Sequence, residues 1–490
     1  MAQEKIRKGF FFYFGLFVLG LIAVFMVCLV VMIFNPGKTI LWMKYFTYNN
    51  TYEITKTSDN QDINYGEVFA NDYTISIECS YADVVVKCNR DPNFKREGIY
   101  IVNHAKGFSG AQNDVNFSYR VEKIGSNRLQ IILSEPQGFL HFSKDIQVIV
   151  HSVATNPRTF EHLALEVEGT ADCDVRIGVD SSGAEIVKPK DVDVKTGTGN
   201  IYLENKFDVS NSTLSLEATR GMIRASRDAG GSHKGIVTNK DIKLVTSRGN
   251  INIDKISTTA NLAIECVSGN INVNVVDATE TSVACKDGNY VFGEVNGKLT
   301  FERSTSTIIT PNIVVGIMNG EFDLAIDGTD ILANPNISIK ETRGFVNIVA
   351  EQGKIVIENA KDGCEIKSDK GFSTYITCAD DFVNKNIKVF NFKGGDIRVT
   401  FKKAVVGNVA TLQNDSGKTT IEFTSDASFT STAKNMNNEL LGEEDKKIIL
   451  NAPIPGSAHK NPLTPNSGAS GATISIKTDG KIYYNLIAKD

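Results

Sequence analysis

The chain has 490 residues, of which 41% are hydrophobic, and it carries a formal net charge of −5 at pH 7. This length exceeds the size at which a single compact core normally stops growing, so it predicts several domains or an elongated repeat. The charge balance gives no basic footprint, and we therefore expect no nucleic-acid partner. The 40 glycines, 11 prolines and single tryptophan are typical of a turn-rich β protein.

Residues 10–34 form a run without any charged side chain. As a helix rising ~1.5 Å per residue, the run would span ~37 Å, which crosses a bilayer with some tilt. It is too long for a signal-peptide core and no small-residue cleavage site follows, so we predict an uncleaved transmembrane anchor. Three basic residues precede the run and two follow it. This asymmetry predicts a cytoplasmic tail at residues 1–9 and an extracellular C-terminal part.

Aromatic residues cluster just after this run, at Trp42, Tyr45, Phe46 and Tyr48. Such side chains line the outer interface of a membrane, but they are equally typical of the first strand of a β domain. Both interpretations stay open at this point. Residues 49–65 are polar and their apolar residues show no periodicity. We therefore predict a stalk or linker over residues 35–65.

From Tyr73 onward, apolar and polar residues alternate with a period of two. The segments YTISIECS, ADVVVKC, RLQIILS and DIQVIVHSV illustrate the pattern, and turn-forming clusters separate them. Segments of about 5–8 residues with this alternation are typical of β-strands. The sequence therefore predicts an N-terminal β lobe over residues 66–160.

A short motif recurs through the next part of the chain. Residues 245–254 read VTSRGNINID, residues 195–204 read KTGTGNIYLE and residues 265–274 read ECVSGNINVN. Counting the glycine as position zero, positions +2 and +4 are apolar, which predicts a strand with one buried face. We expect the glycine to supply the positive φ angle of a turn. The motif glycines are Gly199, Gly221, Gly249, Gly269, Gly288, Gly344, Gly353, Gly395 and Gly480.

The spacing of the motif predicts an all-β fold, an elongated parallel β-solenoid over residues 161–424. From Gly199 to Gly288 the glycines are 22, 28, 20 and 19 residues apart, in the range of tandem-repeat arrays. Hairpins packed into a sandwich would give the same local pattern. Asparagines at +1 favour the solenoid because they can form a ladder across successive rungs, although a turn preference of asparagine is the alternative. These asparagines are Asn200, Asn250, Asn270 and Asn289.

The regular pattern ends near residue 424. Residues 432–447 have the composition of a short surface helix or an acidic loop. Residues 451–472 hold four prolines and the sequence Gly-Ala-Ser-Gly, which predicts an exposed loop. Residues 472–487 read as a last strand pair, which we expect to close the open end of the stack. Residues 425–490 are thus predicted to form an irregular insert, a Pro/Gly loop and a terminal strand pair.

The chain offers few patterns that point to chemistry. Its cysteines include no CxxC, and its six histidines show no metal-ligand spacing, so we expect no metal site and no cofactor. The aspartate pairs 172/174, 191/193 and 323/327 could converge as catalytic carboxylates or Ca²⁺ ligands. Acidic residues with a period of two more often mark the solvated face of a strand, so no catalytic residue is assigned. The cysteines are Cys28, Cys79, Cys88, Cys173, Cys266, Cys285, Cys364 and Cys378.

Two cysteine pairs test the repeat alignment. Cys266 and Cys285 precede consecutive motif glycines by three residues, so a solenoid would stack them at the strand spacing of ~4.8 Å. Cys364 and Cys378 lie on either side of Gly371. A hairpin turning at Gly371 would place them on paired antiparallel strands, whereas a solenoid corner would place them on separate sheets.

The motif copies TGTGNIYLE, TSRGNINID and VSGNINVN, preceded by KDIQVIVHSV and LALEVEG, give the chain a family resemblance. It resembles the bacterial putative-adhesin family of membrane-anchored envelope proteins over residues 145–399. The resemblance implies a β-helix-like fold and an exported location, and it carries over no catalytic residues. The irregular spacing between Gly288 and Gly344 and the Pro-rich C-terminal loop depart from the family pattern.

The combined expectation is a membrane-anchored extracellular, adhesin-like binding or scaffolding module without catalytic activity. Its expected partners are the membrane and a protein or polysaccharide ligand. One alternative is a carbohydrate-active β-helix enzyme, a polysaccharide lyase or hydrolase. Another is an envelope-stress or signalling component that binds a membrane partner. Carboxylates clustered in a groove would favour the enzyme, whereas a charged surface without a groove would favour binding.

Overall fold

The computed structural model shows a chain built almost entirely of β-strands. Within the residues that it describes there are two helices and one large, mostly parallel sheet of 32 strands, which confirms the all-β prediction. The described residues are 2–34, 44–80, 82–89, 94–109, 118–134, 139–151, 162–170, 173–178, 189–204, 212–225, 235–303, 310–325, 334–402, 407, 409–425, 429–442, 445–451 and 472–488.

The two helices both lie near the N-terminus. Helix α1 (Ala2–Phe34) contains the uncharged run. No helix in the described part of the chain combines the length and the apolar character needed to cross a membrane. Helix α2 (Tyr65–Ala70) begins after Asn64, whose side chain accepts a hydrogen bond from the backbone N–H of Glu67. This N-cap satisfies one of the donors that a helix start leaves without a partner.

The strands are short and follow one another closely. Those of the N-terminal part are β1 (Lys44–Ile54), β2 (Tyr73–Cys79), β3 (Asp83–Asn89), β4 (Gly98–Ser109), β5 (Ser118–Ile124), β6 (Arg128–Ser134), β7 (Phe139–His151), β8 (Leu163–Gly169) and β9 (Val175–Gly178). The next are β10 (Asp191–Thr196), β11 (Ile201–Glu204), β12 (Thr213–Ala218), β13 (Ile223–Ala225), β14 (Gly235–Thr238), β15 (Ile242–Thr246), β16 (Ile251–Thr258), β17 (Asn261–Arg303), β18 (Thr310–Met318) and β19 (Phe322–Ala325). The last are β20 (Asn336–Thr342), β21 (Val346–Ala350), β22 (Gly353–Ala360), β23 (Cys364–Ser368), β24 (Phe372–Cys378), β25 (Asn386–Asn391), β26 (Ile397–Phe401), β27 (Val409–Asn414), β28 (Thr419–Phe423), β29 (Phe429–Lys434), β30 (Ile448–Leu450), β31 (Ala472–Thr478) and β32 (Ile482–Leu486).

Parallel pairing arranges these strands into two series, ladder A and ladder B. Ladder A runs β6-β2-β8-β10-β12-β15-β17-β19-β21-β23-β25-β27-β31-β29. Ladder B runs β7-β3-β9-β11-β13-β16-β17-β18-β20-β22-β24-β26-β28-β32-β30. The long strand β17 contributes to both. Successive strands along the chain therefore alternate, for the most part, between the ladders.

Antiparallel strands cover the N-terminal end of this arrangement. Strand β4 pairs with β7, β1 pairs with β4 along its whole length, and β5 pairs with β6. Strand β1 lies inside the segment predicted as a stalk, because its asparagines and threonines conceal the alternation by which strands are recognised. Tyr45, Phe46 and Tyr48 belong to this strand, whereas Trp42 lies outside the described residues.

The alternation predicted from the sequence is present in the burial of the strands. Ile201, Leu203, Ile251 and Ile253, at positions +2 and +4 of two motif copies, are fully or almost fully buried. One continuous hydrophobic cluster extends from Ile54 to Tyr484. Each strand thus turns one face to a core that the N-terminal strands and the repeat share.

At six of the nine motif positions a glycine is required by close stacking and not by backbone conformation. The other three, Gly288, Gly353 and Gly395, have the predicted positive φ. A Cβ atom on Gly221 would lie 1.8 Å from the carbonyl oxygen of Gly199, and one on Gly249 would lie 1.6 Å from that of Gly221. No side chain tolerates such contacts. Of the motif glycines from Gly199 to Gly288, only Gly288 has a positive φ, at 142°. The predicted positive φ is therefore wrong for the other four.

The structure also divides the motif glycines between two corners. Gly395, Gly417 and Gly480 stack on one another at entrances to ladder B, the same ladder that follows Gly199. Gly344 stacks instead on Gly320 and leads into β21 of ladder A. The motif therefore marks either corner, which explains the irregular spacing before Gly344.

The C-terminal end is closed in an unexpected order. Strands β31 and β32 pair with β27 and β28, as a continuing repeat would. Strands β29 and β30 precede them in sequence but pair with their outer edges. Residues 429–434, within and before the predicted helix or loop, form β29. The predicted terminal strand pair is thus present, but within the described residues the outermost strands are β29 and β30.

Of the two cysteine pairs that test the repeat, only Cys364 and Cys378 distinguish a hairpin from strands on separate ladders. Cys364 lies in β23 opposite Val346 and Ile387, while Cys378 lies in β24 opposite Ala360 and Phe401. The two strands belong to separate ladders, so the chain does not form a hairpin at Gly371. The predicted stacking of Cys266 on Cys285 stays untested, because the side chain of Cys285 lies outside the described residues.

Candidate functional site

A ladder of asparagine side chains runs along one exposed edge of ladder B. Each amide donates to the side-chain oxygen of the preceding asparagine: Asn270 to Asn250 at 3.2 Å, Asn289 to Asn270 at 3.0 Å, and Asn312 to Asn289 at 3.1 Å. Asn336 continues the series by donating to Asn312 at 2.9 Å. Backbone N–H groups of Asn270 and Asn289 donate to the same oxygens. We call these five residues the asparagine ladder.

The asparagine ladder confirms the prediction for three of the four asparagines. It also contains two asparagines, Asn312 and Asn336, that were not predicted. Asn200 lies apart from the ladder, because position +1 of the next copy is Met222, whose backbone N–H donates to the Asn200 side chain. Asn312 and Asn336 were missed because prolines, and not motif glycines, precede them. With their amides and carbonyl oxygens engaged by neighbouring rungs, these side chains serve structure first.

Beside the ladder lies a shallow polar groove of about 420 Å³. Arg224, Asn252 and Asn272 form one row along it, since Arg224 is paired in register with Asn252 and Asn252 with Asn272. All three side chains are exposed. Asp254 and Asn274 form a second row, and the Asn274 amide donates to the Asp254 carboxylate at 3.4 Å. We call these five residues the polar groove.

The chemistry of the polar groove is that of hydrogen bonding to neutral polar groups. Each asparagine amide offers two donors and an acceptor oxygen, and Arg224 adds a fork of further donors. One cation and one anion leave the groove with no net charge. Upstream on the same row, the guanidinium of Arg176 lies 4.9 Å from the ring centre of Tyr202, which is the register neighbour of Arg224.

Sequence reasoning missed this groove for a physical reason. Its residues occupy outward-facing positions of β13, β16 and β17, which are spread over 51 positions from 224 to 274. In sequence they look like the ordinary solvated face of a strand. A signal exists only after the rungs are aligned, when Arg224, Asn252 and Asn272 fall in one column.

Each described aspartate of the candidate pairs has a hydrogen-bond or ion-pair partner other than the second aspartate of its pair. Asp174 accepts hydrogen bonds from the backbone N–H and side-chain amide of Asn200, at 2.7 and 3.0 Å. Asp191 accepts from the Thr213 hydroxyl, and Asp193 lies 3.1 Å from the Lys195 ammonium.

Asp323 has a similar environment, since it accepts from the Asn347 amide at 3.0 Å and lies 3.6 Å from the Lys298 ammonium. The remaining two partners, Asp172 and Asp327, lie outside the described residues. Within the described part of the chain, no group of three or more histidine, cysteine or acidic side chains could hold a metal ion. These carboxylates connect neighbouring strands and side chains.

Comparison with known proteins gives structural neighbours but no sequence match. No family model matches the chain, and none of the curated proteins does. A structure called a "putative adhesin" from Parabacteroides merdae is 10% identical over 71% of this chain and 95% of its own, with a TM-score of 0.26. A "putative cell adhesion protein" from Clostridium sporogenes is 7% identical over 90% of this chain and 99% of its own, with a TM-score of 0.16.

A third neighbour, called a "putative adhesin", comes from Parabacteroides distasonis. It is 8% identical over 74% of this chain and 96% of its own, with a TM-score of 0.17. The names of all three agree with the family that the sequence resembles. Scores at this level carry no argument about site or activity, so the functional conclusion rests on the chain's own residues.

Proposed function

We propose that the chain is a membrane-anchored, adhesin-like binding module whose ladders form an elongated β-solenoid. Two observations support the solenoid. Strands alternate between two parallel ladders. The motif glycines of successive rungs also stack so closely that a Cβ atom on one would overlap the carbonyl oxygen of the next. A coil that places identical residues one above another repeats its surface side chains in rows. Such rows present an extended surface for a ligand.

The proposed anchor rests on the uncharged run of residues 10–34 in the sequence and not on a helix of the structure that meets the requirements for crossing a membrane. The described apolar side chains of α1 point outward on every side of the helix, with Phe12, Phe17 and Leu19 each about two-thirds exposed. Exposed apolar side chains of this kind favour an apolar environment that covers them. The excess of basic residues before the run favours a cytoplasmic N-terminus, which would leave the sheet outside the cell.

Protease treatment of intact cells tests this topology. We expect an added protease to degrade the chain beyond about residue 35, because the anchor leaves the sheet outside the membrane. For a cell with an outer membrane, the protease is added to spheroplasts. The measurement is immunoblotting with antibodies against epitopes placed at each terminus. Full protection of the C-terminal epitope, with degradation only after detergent lysis, would contradict the extracellular location.

The polar groove is the proposed ligand-binding surface, and a polysaccharide is its proposed ligand. The single observation that carries this proposal is the row of Arg224, Asn252 and Asn272, which are exposed polar side chains in register on three neighbouring strands. Sugar hydroxyls both donate and accept, as amides do. The groove lining includes one carboxylate, Asp254, whereas glycoside hydrolysis normally uses two. Binding is therefore the function we propose.

One substitution in the polar groove and one in the asparagine ladder distinguish an effect on polysaccharide binding from an effect on protein stability. We expect Asn252→Ala to weaken polysaccharide binding about five- to tenfold, because losing a hydrogen-bonding side chain from a site costs about 1–1.5 kcal/mol. The matched control is Asn270→Ala in the asparagine ladder, which should lower the melting temperature and leave binding intact. The measurement is binding of the full-length protein in detergent to an array of neutral and acidic polysaccharides.

Either of two results would contradict the groove as the binding surface. The first is an array on which the wild-type protein binds no polysaccharide. The second is binding that Asn252→Ala and Arg224→Gln leave unchanged. The proposal is supported if Asn252→Ala and Arg224→Gln each weaken polysaccharide binding without changing the melting temperature.

A further inference from the structure

Two cysteines from distant parts of the sequence meet at a buried corner near the N-terminal end. Cys79 ends β2, and Cys173 lies two residues before β9. Both thiols donate to the carbonyl oxygen of Ala82, Cys79 at 3.4 Å and Cys173 at 2.5 Å. Cys79 is also the largest cause of the raised pKa of the Cys173 thiol, which agrees with the closeness of the two side chains. Sharing one acceptor atom limits the separation of the two sulfur atoms to at most about 6 Å, so side-chain rotations of a few ångström would bring them to the ~2 Å of a disulfide bond.

The backbone around the pair is shaped to let the side chains meet. Gly169 lies in register beside Cys79 on the parallel strand β8. A Cβ on Gly169 would lie 3.1 Å from the carbonyl oxygen of Cys173 and 3.3 Å from its Cβ. The Cys173 side chain therefore occupies the space that a side chain at position 169 would fill. A glycine here leaves a direct path from Cys173 to the Cys79 thiol.

We propose that Cys79 and Cys173 are a disulfide-forming pair, which an oxidant of the disulfide class converts to an intrachain cross-link. The bond would join the end of ladder A strand β2 to the entrance of ladder B strand β9. It would close a loop of roughly 95 residues, a length at which a disulfide restricts the unfolded chain strongly. The bond would thus fix the junction between the N-terminal strands and the repeat.

The reaction is two-step thiol–disulfide exchange. The thiolate of one cysteine attacks a sulfur atom of glutathione disulfide, forming a protein–glutathione mixed disulfide and releasing one glutathione thiol. The thiolate of the second cysteine then attacks the protein-bound sulfur and releases the second glutathione thiol. Two electrons pass from the protein thiols to glutathione disulfide, and the proton that each cysteine loses is balanced by the proton that each departing glutathione thiolate takes up from solvent.

Burial and the neighbouring thiol lower the rate of this exchange through the pKa of Cys173. The neighbouring Cys79 thiol and the burial of the site raise the pKa of the Cys173 thiol far above its ordinary value. Since only the thiolate attacks, exchange at this cysteine is slow at neutral pH. Its rate should rise about tenfold for each pH unit, because the thiolate fraction does so below the pKa.

Peptide mapping of the full-length protein tests the proposal. The reduced protein is incubated with glutathione disulfide at pH 7, 8 and 9, alkylated and digested without reduction. We expect one main cross-linked peptide pair joining Cys79 to Cys173, with a mass loss of about 2 Da for the two protons removed. Its yield should rise with pH, and the oxidised protein should melt at least about 3 °C higher than the reduced one.

The chain supplies its own control, in Cys364 and Cys378. Both are buried, and burial raises the pKa of the Cys364 thiol to about 12 and that of the Cys378 thiol well above its usual value. They lie on separate ladders, and we expect them to remain thiols. Cys79→Ala should abolish the cross-link.

The proposal is overturned if Cys79 and Cys173 are both recovered as thiols after prolonged oxidation at pH 9. It is equally overturned if each is recovered only as a separate mixed disulfide with glutathione. Recovery of the Cys79–Cys173 peptide in wild-type protein supports it whether or not the alanine variant folds.

Discussion

Replacing Gly249 with alanine is expected to lower the free energy of unfolding by about 3 kcal/mol, near the upper end for overpacking a tightly packed site. The added Cβ would lie 1.6 Å from the carbonyl oxygen of Gly221 and 2.6 Å from its carbonyl carbon. Both atoms belong to the backbone of the next rung, so no side-chain rotation relieves the contact. The measurement is urea unfolding of the full-length protein, followed by circular dichroism.

The matched control for this change is Gly66→Ala in α2. A Cβ at Gly66 would meet only the side-chain oxygen of Asn64, at the ordinary contact distance of 3.4 Å. Alanine also favours a helix over glycine. Unfolding of Gly66→Ala should match the wild type within about 0.5 kcal/mol. If Gly249→Ala proves as mild as this control, the stacked glycines do not set the spacing of the rungs.

Phe301→Ala is expected to lower the free energy of unfolding by about 3–5 kcal/mol, the range for removing a buried aromatic side chain. Phe301 is 1% exposed. Its ring centre lies 6.3 Å from that of Tyr290, 6.2 Å from that of Phe292 and 5.7 Å from that of Phe322. These rings come from both ladders, so the substitution leaves a cavity where the two faces of the core meet. Thermal unfolding measures the loss.

Val291→Ala is the control for the Phe301 substitution. Val291 lies between Tyr290 and Phe292 on the same strand, but its side chain faces outward and is 37% exposed. Removing its two methyl groups should change the melting temperature little. An equal loss of stability in both variants would show that the cost arises from weakened strand propensity and not from the core.

The inner face of the fold could be predicted from the sequence because each buried position of a rung requires an apolar residue. The apolar residues at +2 and +4, such as Ile251 and Ile253, are buried as expected. The ladder of Asn250, Asn270 and Asn289 was also predictable, because identical residues at equal positions can only pair if the rungs are parallel and in register.

The outer face and the ends were not predictable in the same way. Which strands are neighbours depends on contacts over long sequence distances, and alternation within a strand does not encode them. The pairing of β29 with β31 and of β1 with β4 is of this kind. The polar groove and the Cys79–Cys173 corner likewise bring together residues whose spacing in sequence follows no motif.

The order of strands at the C-terminal end has a consequence for biosynthesis. Strands β31 and β32 fill the positions between β27 and β29 and between β28 and β30, although all four of those strands are made earlier. As the ribosome extends the chain, β29 and β30 emerge before the strands with which they pair. The edges of β27 and β28 therefore wait for residues 472–486, which leave the exit tunnel after β29 and β30. Folding from the N-terminus can proceed rung by rung during translation, but β29 and β30 can pair only after β31 and β32 have emerged.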